Sequence, residues 1–129
     1  MDAPVFENLD LACAKAGKTI AEKPSKELEN LITSALAVLE EQGVYALFIF
    51  LKTQGKNVGQ TVGSKLHEFL RNIPKQNPLL SEDVNDIFTA LQKMDGNLDS
   101  LLLSRDLLRQ TLVYARYHAR LREDVEIGS

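Results

Sequence analysis

Four arginines, Arg105, Arg109, Arg116 and Arg120, are the residues whose type and spacing come closest to a binding chemistry. At ~100° per residue on a helix they fall within an arc of roughly 60°, and Asp106 is the only carboxylate from Ser100 through Arg122. A guanidinium stays charged and makes paired hydrogen bonds to phosphate oxygens, so a stripe of this kind suits a phosphate backbone. Lys15 and Lys18 in an amino-terminal segment, and Lys52 and Lys56 beside a glycine-rich stretch, extend the candidate basic surface, to which Lys65 and Arg71 add. Exposed aromatics to stack bases are scarce, so the expected mode is backbone contact without sequence readout. The same pattern also fits a solvated helix face. Leu102 and Val113 border the arc, so some of these arginines are equally suited to tie their helix to a neighbour.

No other set of residues converges on a chemistry. Gly59-Gln60-Thr61-Val62-Gly63-Ser64-Lys65 imitates a phosphate loop, but that loop requires G-x-x-x-x-G-K-[ST]. Here the glycine spacing is one residue short and Ser64 precedes Lys65. The nucleotide reading would also need Val44 to Leu51 to be a parallel strand. His67 and His118 lie in different segments, without a second His or Cys at ligand spacing. Cys13 falls on an apolar face and reads as a small core residue. There is no G-x-S-x-G turn and no carboxylate pair that stands out from the solvated charges. The chain is therefore not expected to be an enzyme, and no metal or cofactor is expected.

The elements that must position the arginines follow from composition and period. A chain of 129 residues suffices for one domain with a real core, with 44% hydrophobic and 26% charged residues marking it as globular. A net charge of −3 argues against a general nucleic-acid binder. A local basic surface is still compatible with it, since residues 100–122 hold five arginines against one aspartate. The run Val44 to Leu51 is too short to span a bilayer, which takes about 20 residues. Met1 to Asp10 has no basic region of a signal peptide, and a lone Cys13 fits a reducing, cytoplasmic location.

Apolar positions Leu9, Ala12, Cys13, Ala16 and Ile20 predict helix one over Asn8 to Lys23, stopped by Pro24. Ser25 caps helix two, whose stripe of Leu28, Leu31, Ile32, Ala35, Leu36 and Leu39 closes at Gly43. Val44 to Leu51 is expected to be a short buried helix, because no second strand candidate exists to pair with it. Gln54 to Gly63 is expected to be a loop, followed by helix four over Thr61 to Ile73 and an irregular Pro74 to Leu80. Ser81 caps helix five, which carries Val84, Ile87, Phe88, Leu91 and Met94 and ends at Gly96. Helix six, Leu98 to Arg122, presents Leu101, Leu108, Leu112, Ala115 and Ala119 on one side, with Leu103, Leu107, Tyr114 and Leu121 within reach of it. The expectation is an all-α single domain over 1–129, a bundle of about six helices with a long last one and a frayed 127–129.

Three stretches carry a resemblance. Glu41-Gln42-Gly43-Val44-Tyr45-Ala46-Leu47-Phe48-Ile49-Phe50-Leu51 sets a glycine before an apolar helix ending in Phe-Leu. Within the last helix, Ser104-Arg105-Asp106-Leu107-Leu108 resembles a Thr/Ser-x-Glu-x-Leu pattern, and Tyr114-Ala115-Arg116-Tyr117-His118-Ala119 follows an aromatic with a base and a small residue. Over nearly its whole length the chain resembles the small all-helical subunit of the type III-B CRISPR RNA-targeting effector, the Cmr complex. Tyr114 stands where that family often has tryptophan, and Arg116 where it often has Lys-Arg.

The resemblance implies a non-catalytic scaffold in antiviral defence, stacking side by side along a ribonucleoprotein while other subunits cleave. Its implied partners are other effector subunits, further copies of itself and the backbone of guide or target RNA, with no membrane. The type III-A small subunit is also helical and of similar size, and so is an alternative. The rival from another class is a helical adaptor that binds only protein, its arginines pairing with acids on the partner.

Overall fold

Side-chain caps set most of the helix starts. Asn8 Oδ1 accepts from the Leu11 amide at 2.9 Å, Ser25 Oγ from Leu28 at 3.0 Å and Asn97 Oδ1 from Ser100 at 3.1 Å. The structure is a computed structural model that describes residues 8–54, 56–80, 86–94 and 96–121, together with the backbone of 122–128. Its helices are α1 (Leu9–Ile20), α2 (Lys26–Gln42), α3 (Val44–Thr53), α4 (Lys56–Asn72), α5 (Ile87–Gln92) and α6 (Leu98–Gly128). No strand occurs among the described residues, so the chain is an all-α bundle with a long carboxy-terminal helix. No helix among the described residues is long and apolar enough to cross a membrane.

The bundle is arranged around α6. Its most extensive contacts are with α1, followed by α2. Leu108, Leu112, Ala115 and Ala119 are fully buried between those two helices, as the helical period predicts. Cys13 meets Leu107, and Gly17 meets Thr111 and Ala115, so α1 runs in the same direction as α6. At Gly17 the approach leaves no room for a side chain: a Cβ there would lie 2.7 Å from the Ala115 amide nitrogen and 2.9 Å from the Thr111 carbonyl oxygen. Backbone thus packs on backbone. Leucines buried this way each contribute about 1.5–3 kcal/mol.

On the far side, α3 packs against α2 and α4. Val44, Leu47, Phe48 and Leu51 are its buried residues, an i, i+3, i+4, i+7 set that confirms a helix and removes the strand on which the phosphate-loop reading depended. Gly43 at φ 99° ends α2 and starts α3, and Gly96 at φ 85° lies in the tight link between α5 and α6.

Several boundaries differ from the sequence expectation. The largest correction concerns Gln54 to Gly63, which is not a loop: α4 begins at Lys56, five residues before Thr61. Gly59 in it serves packing. A Cβ on Gly59 would lie 2.3 Å from the Leu51 carbonyl oxygen, so only glycine lets α4 turn back so closely on α3. Helix one ends at Ile20 instead of Lys23, where Ala21 closes it by donating to the Gly17 carbonyl. Helix five is shorter than expected and is capped by Asp86, whose carboxylate accepts from the Phe88 amide at 3.3 Å. The expected cap Ser81 and the residues through Val84 lie outside the described residues, and Met94 is buried in the turn after α5. Leu121 is 61% exposed, because it lies about 140° around α6 from the buried stripe of Leu108, Leu112, Ala115 and Ala119. Ile127 and Gly128, expected to fray, are within α6, and Ser129 lies outside the described residues.

The two close approaches separate glycines that packing requires from one that it does not. Gly17→Ala and Gly59→Ala should each destabilise the fold by about 1–3 kcal/mol in urea denaturation. Gly63→Ala, whose methyl would sit 3.7 Å from Leu51 Cβ, should stabilise it by about 0.5–1 kcal/mol.

Candidate nucleic-acid interface

The arginine stripe runs along the seam between α6 and α2, where two glutamates meet it. Arg120 Nε donates to Glu29 Oε1 at 2.6 Å, and the Glu29 side chain is only 9% exposed. Lys26 Nζ lies 3.8 Å from the other carboxylate oxygen of Glu29. Near the opposite end, Arg105 Nη2 donates to the Glu40 carbonyl at 2.8 Å and sits 3.6 Å from its carboxylate. Arg109 Nε donates to the same carboxylate, while its Nη2 is 3.4 Å from Asp106. Arg116 has a buried Nε without a hydrogen-bond partner among the described residues.

The register explains the pairing. Glu29 and Glu40 are eleven residues apart on α2, and Arg109 and Arg120 are eleven apart on α6. Eleven residues make close to three helical turns, so each pair returns to one face after ~16 Å. Antiparallel packing then brings 29 to 120 and 40 to 109 together. Sequence reasoning found the arginines and missed their acids, though this matched spacing was the signal that could have identified them.

The eight predicted binding residues do not share one surface. Arg105, Arg109, Arg116 and Arg120 line the α2–α6 seam, Lys15 and Lys18 are exposed on α1, and Lys52 and Lys56 are exposed at the α3–α4 corner. Lys52 Nζ lies 5.4 Å from the centroid of the Phe88 ring, and Lys56 enters α4 at φ 49°. Of the two auxiliary bases, Lys65 donates to the Thr19 carbonyl at 2.9 Å and so closes α1, while Arg71 lies 3.6 Å from Glu68. The Gly59 to Lys65 motif therefore lies inside α4, where its amides serve the helix and cannot cradle a phosphate.

On the opposite flank of α6, Asp10 accepts from Tyr114 Oη at 2.8 Å and from Gln110 Nε2 at 3.2 Å. The bond to Asp10 is the main cause that raises the Tyr114 pKa. Cys13 is buried, its thiol donates to the Leu107 carbonyl at 3.6 Å, and burial pushes its pKa up, in keeping with a core role. His67 is pushed below its usual 6.5, chiefly by burial and then by Arg71. No group of three or more His, Cys, Asp or Glu side chains is placed to hold a metal among the described residues.

Two outcomes follow from this geometry. Glu29→Ala removes the most enclosed acceptor on the seam and should cost about 1–3 kcal/mol; Glu40→Ala, at a more exposed pair, should cost about 1 kcal/mol or less. Because the folded state holds the His67 pKa low, the unfolded chain binds the extra proton first. Stability should therefore be fully present above pH 6.5 and decline on acidification, and His67→Asn should flatten that part of the urea-midpoint profile. Comparisons of the chain with protein-family models, curated proteins and solved structures give no match.

Proposed function

We propose that the chain is a non-catalytic small subunit of a type III-B CRISPR (Cmr) effector, acting in antiviral defence in the cytoplasm. It stacks along the ribonucleoprotein beside further copies of itself and other subunits, and it contacts RNA backbone without reading sequence. The support is the resemblance in the glycine-led apolar helix and the last helix, together with an all-helical bundle ending in a long helix.

The single observation that carries RNA contact is the state of the arginines. Three of them keep exposed side chains on the seam: Arg105, Arg109 and Arg120 are 36%, 41% and 51% exposed although tied to acids. A guanidinium has five N–H donors, and these pairs use only some of them. The acids hold the planar groups in fixed orientations, and donors left over can meet phosphate oxygens at little entropic cost. Arg116 has no acid partner among the described residues, which leaves its charge uncompensated there.

The affinity of the stripe for carboxylates also fits the rival adaptor reading, in which the chain binds only protein and its arginines pair with acids on the partner. Arg116→Ala separates the two. In a reconstituted effector it should leave the melting temperature within about 2 °C, weaken unrelated RNAs alike and reduce the salt slope by about one unit or less. If Arg116→Ala, combined with Lys15→Ala and Lys18→Ala, leaves RNA crosslinking and salt dependence unchanged, the adaptor reading replaces this one. Copurification with type III-A subunits would shift the subtype.

A further inference from the structure

A second site lies away from the arginine seam, in the cleft where α3, α4 and the start of α5 meet. Its volume is about 450 Å³, within the roughly 300–1,000 Å³ of small-molecule sites. The apolar walls are Phe48 and Leu51 on one side and Ile87 and Phe88 on the other. Tyr45 supports the Phe88 ring, their centroids 5.3 Å apart and their planes at 58°.

Three groups of the polar lining are uncommitted, while Asp86 caps α5 and Lys52 lies over the Phe88 ring. His67 Nε2 is buried without a hydrogen-bond partner among the described residues, a state that buried nitrogens rarely keep. Gln60 and Ser64 lie on the same stretch of α4, and their side chains have no partner among the described residues. Each of these three groups can donate or accept. The two charges in the cleft, Lys52 and Asp86, are close enough to influence one another and offset in sum. Burial keeps His67 in its uncharged form near neutral pH.

Gly63 supplies an independent observation. A glycine inside a helix costs about 0.5–1 kcal/mol relative to alanine, and packing against α3 does not demand it, since a methyl there would make ordinary contact with Leu51. Its absent side chain lies on the cleft wall, one turn from Gly59, and keeps that wall flat.

We propose that this cleft binds a flat, uncharged heteroaromatic ring of nucleobase size. The ring lies between the glycine wall and Phe88, and its edge nitrogens and oxygens pair with Gln60, Ser64 and His67. The site does not depend on the effector reading, because the arginine seam has no part in it.

The test is a titration of the ¹⁵N-labelled full chain with adenosine and uridine, and with benzoate as an anionic ring. At least one nucleoside should give saturable shifts centred on the amides of Gly63, Ser64, His67 and Phe88 below about 1 mM. Gly63→Ala should weaken that binding by about fivefold or more while raising the melting temperature. The double variant Gln60→Ala, Ser64→Ala should weaken it as well, with the spectrum otherwise unchanged. Shifts that fail to saturate, that map elsewhere, or that persist at wild-type affinity in Gly63→Ala would overturn the proposal, as would tighter binding of benzoate than of either nucleoside.

Discussion

Backbone-to-backbone contact between α1 and α6 at Gly17 is the constraint from which the remaining packing follows. With no side chain between them, the two helix axes come close enough for Cys13, Thr111 and Ala115 to be enclosed almost completely. Bringing α1 in on one flank leaves the opposite flank of α6 for α2, and the short turn after Ile20 delivers α2 there in the reverse direction. α3 and α4 then cover the remaining apolar faces of α2 and α1. The second glycine contact, Gly59 on the Leu51 carbonyl, sets the spacing of that outer pair.

Once α2 lies antiparallel to α6, the charge pattern becomes a register device. An apolar seam alone tolerates a slip of one turn, since leucines recur on both helices. Glu29 and Glu40 favour the observed register, in which Glu29 meets Arg120 and Glu40 meets both Arg105 and Arg109; slipped by one turn they would meet only Arg116 and Arg105. Exposed ion pairs contribute little stability on average, so their larger effect here is on which alignment wins. The arginines serve the fold and still present donors outward, and these two roles are compatible because one guanidinium can bond to a carboxylate and a phosphate at once.

The sequence made the fold class and most helix starts legible, since caps such as Ser25 and Gly43 and the periodic leucines act within a few residues of themselves. The misreadings came from contacts distant in sequence. Gly59 and Gly63 look like loop residues until Leu51 is known to lie against them, at which point Gly59 becomes a packing residue and α4 extends back to Lys56. The arginine stripe was legible as a stripe, and its placement was not: whether Arg109 faces water or Glu40 depends on helix packing, which no local pattern encodes. The cleft at His67 drew no attention because Gln60 was expected to lie in a loop, and because the walls that face Gln60, Ser64 and His67 come from α3 and the start of α5, distant in sequence.

α6 has no independent stability and is held chiefly by the joint clasp of α1 and α2, with a smaller contact from α3. Native-state hydrogen exchange along a denaturant series tests this directly, because it assigns an opening free energy to each amide. Amides of Ser104 to Ala119 should exchange with those of Cys13 to Ile20 and Ile32 to Leu39 in one shared global opening, while α5 opens at lower free energy. Exchange of the α6 amides in a separate, lower-energy opening, with α1 and α2 still protected, would contradict it.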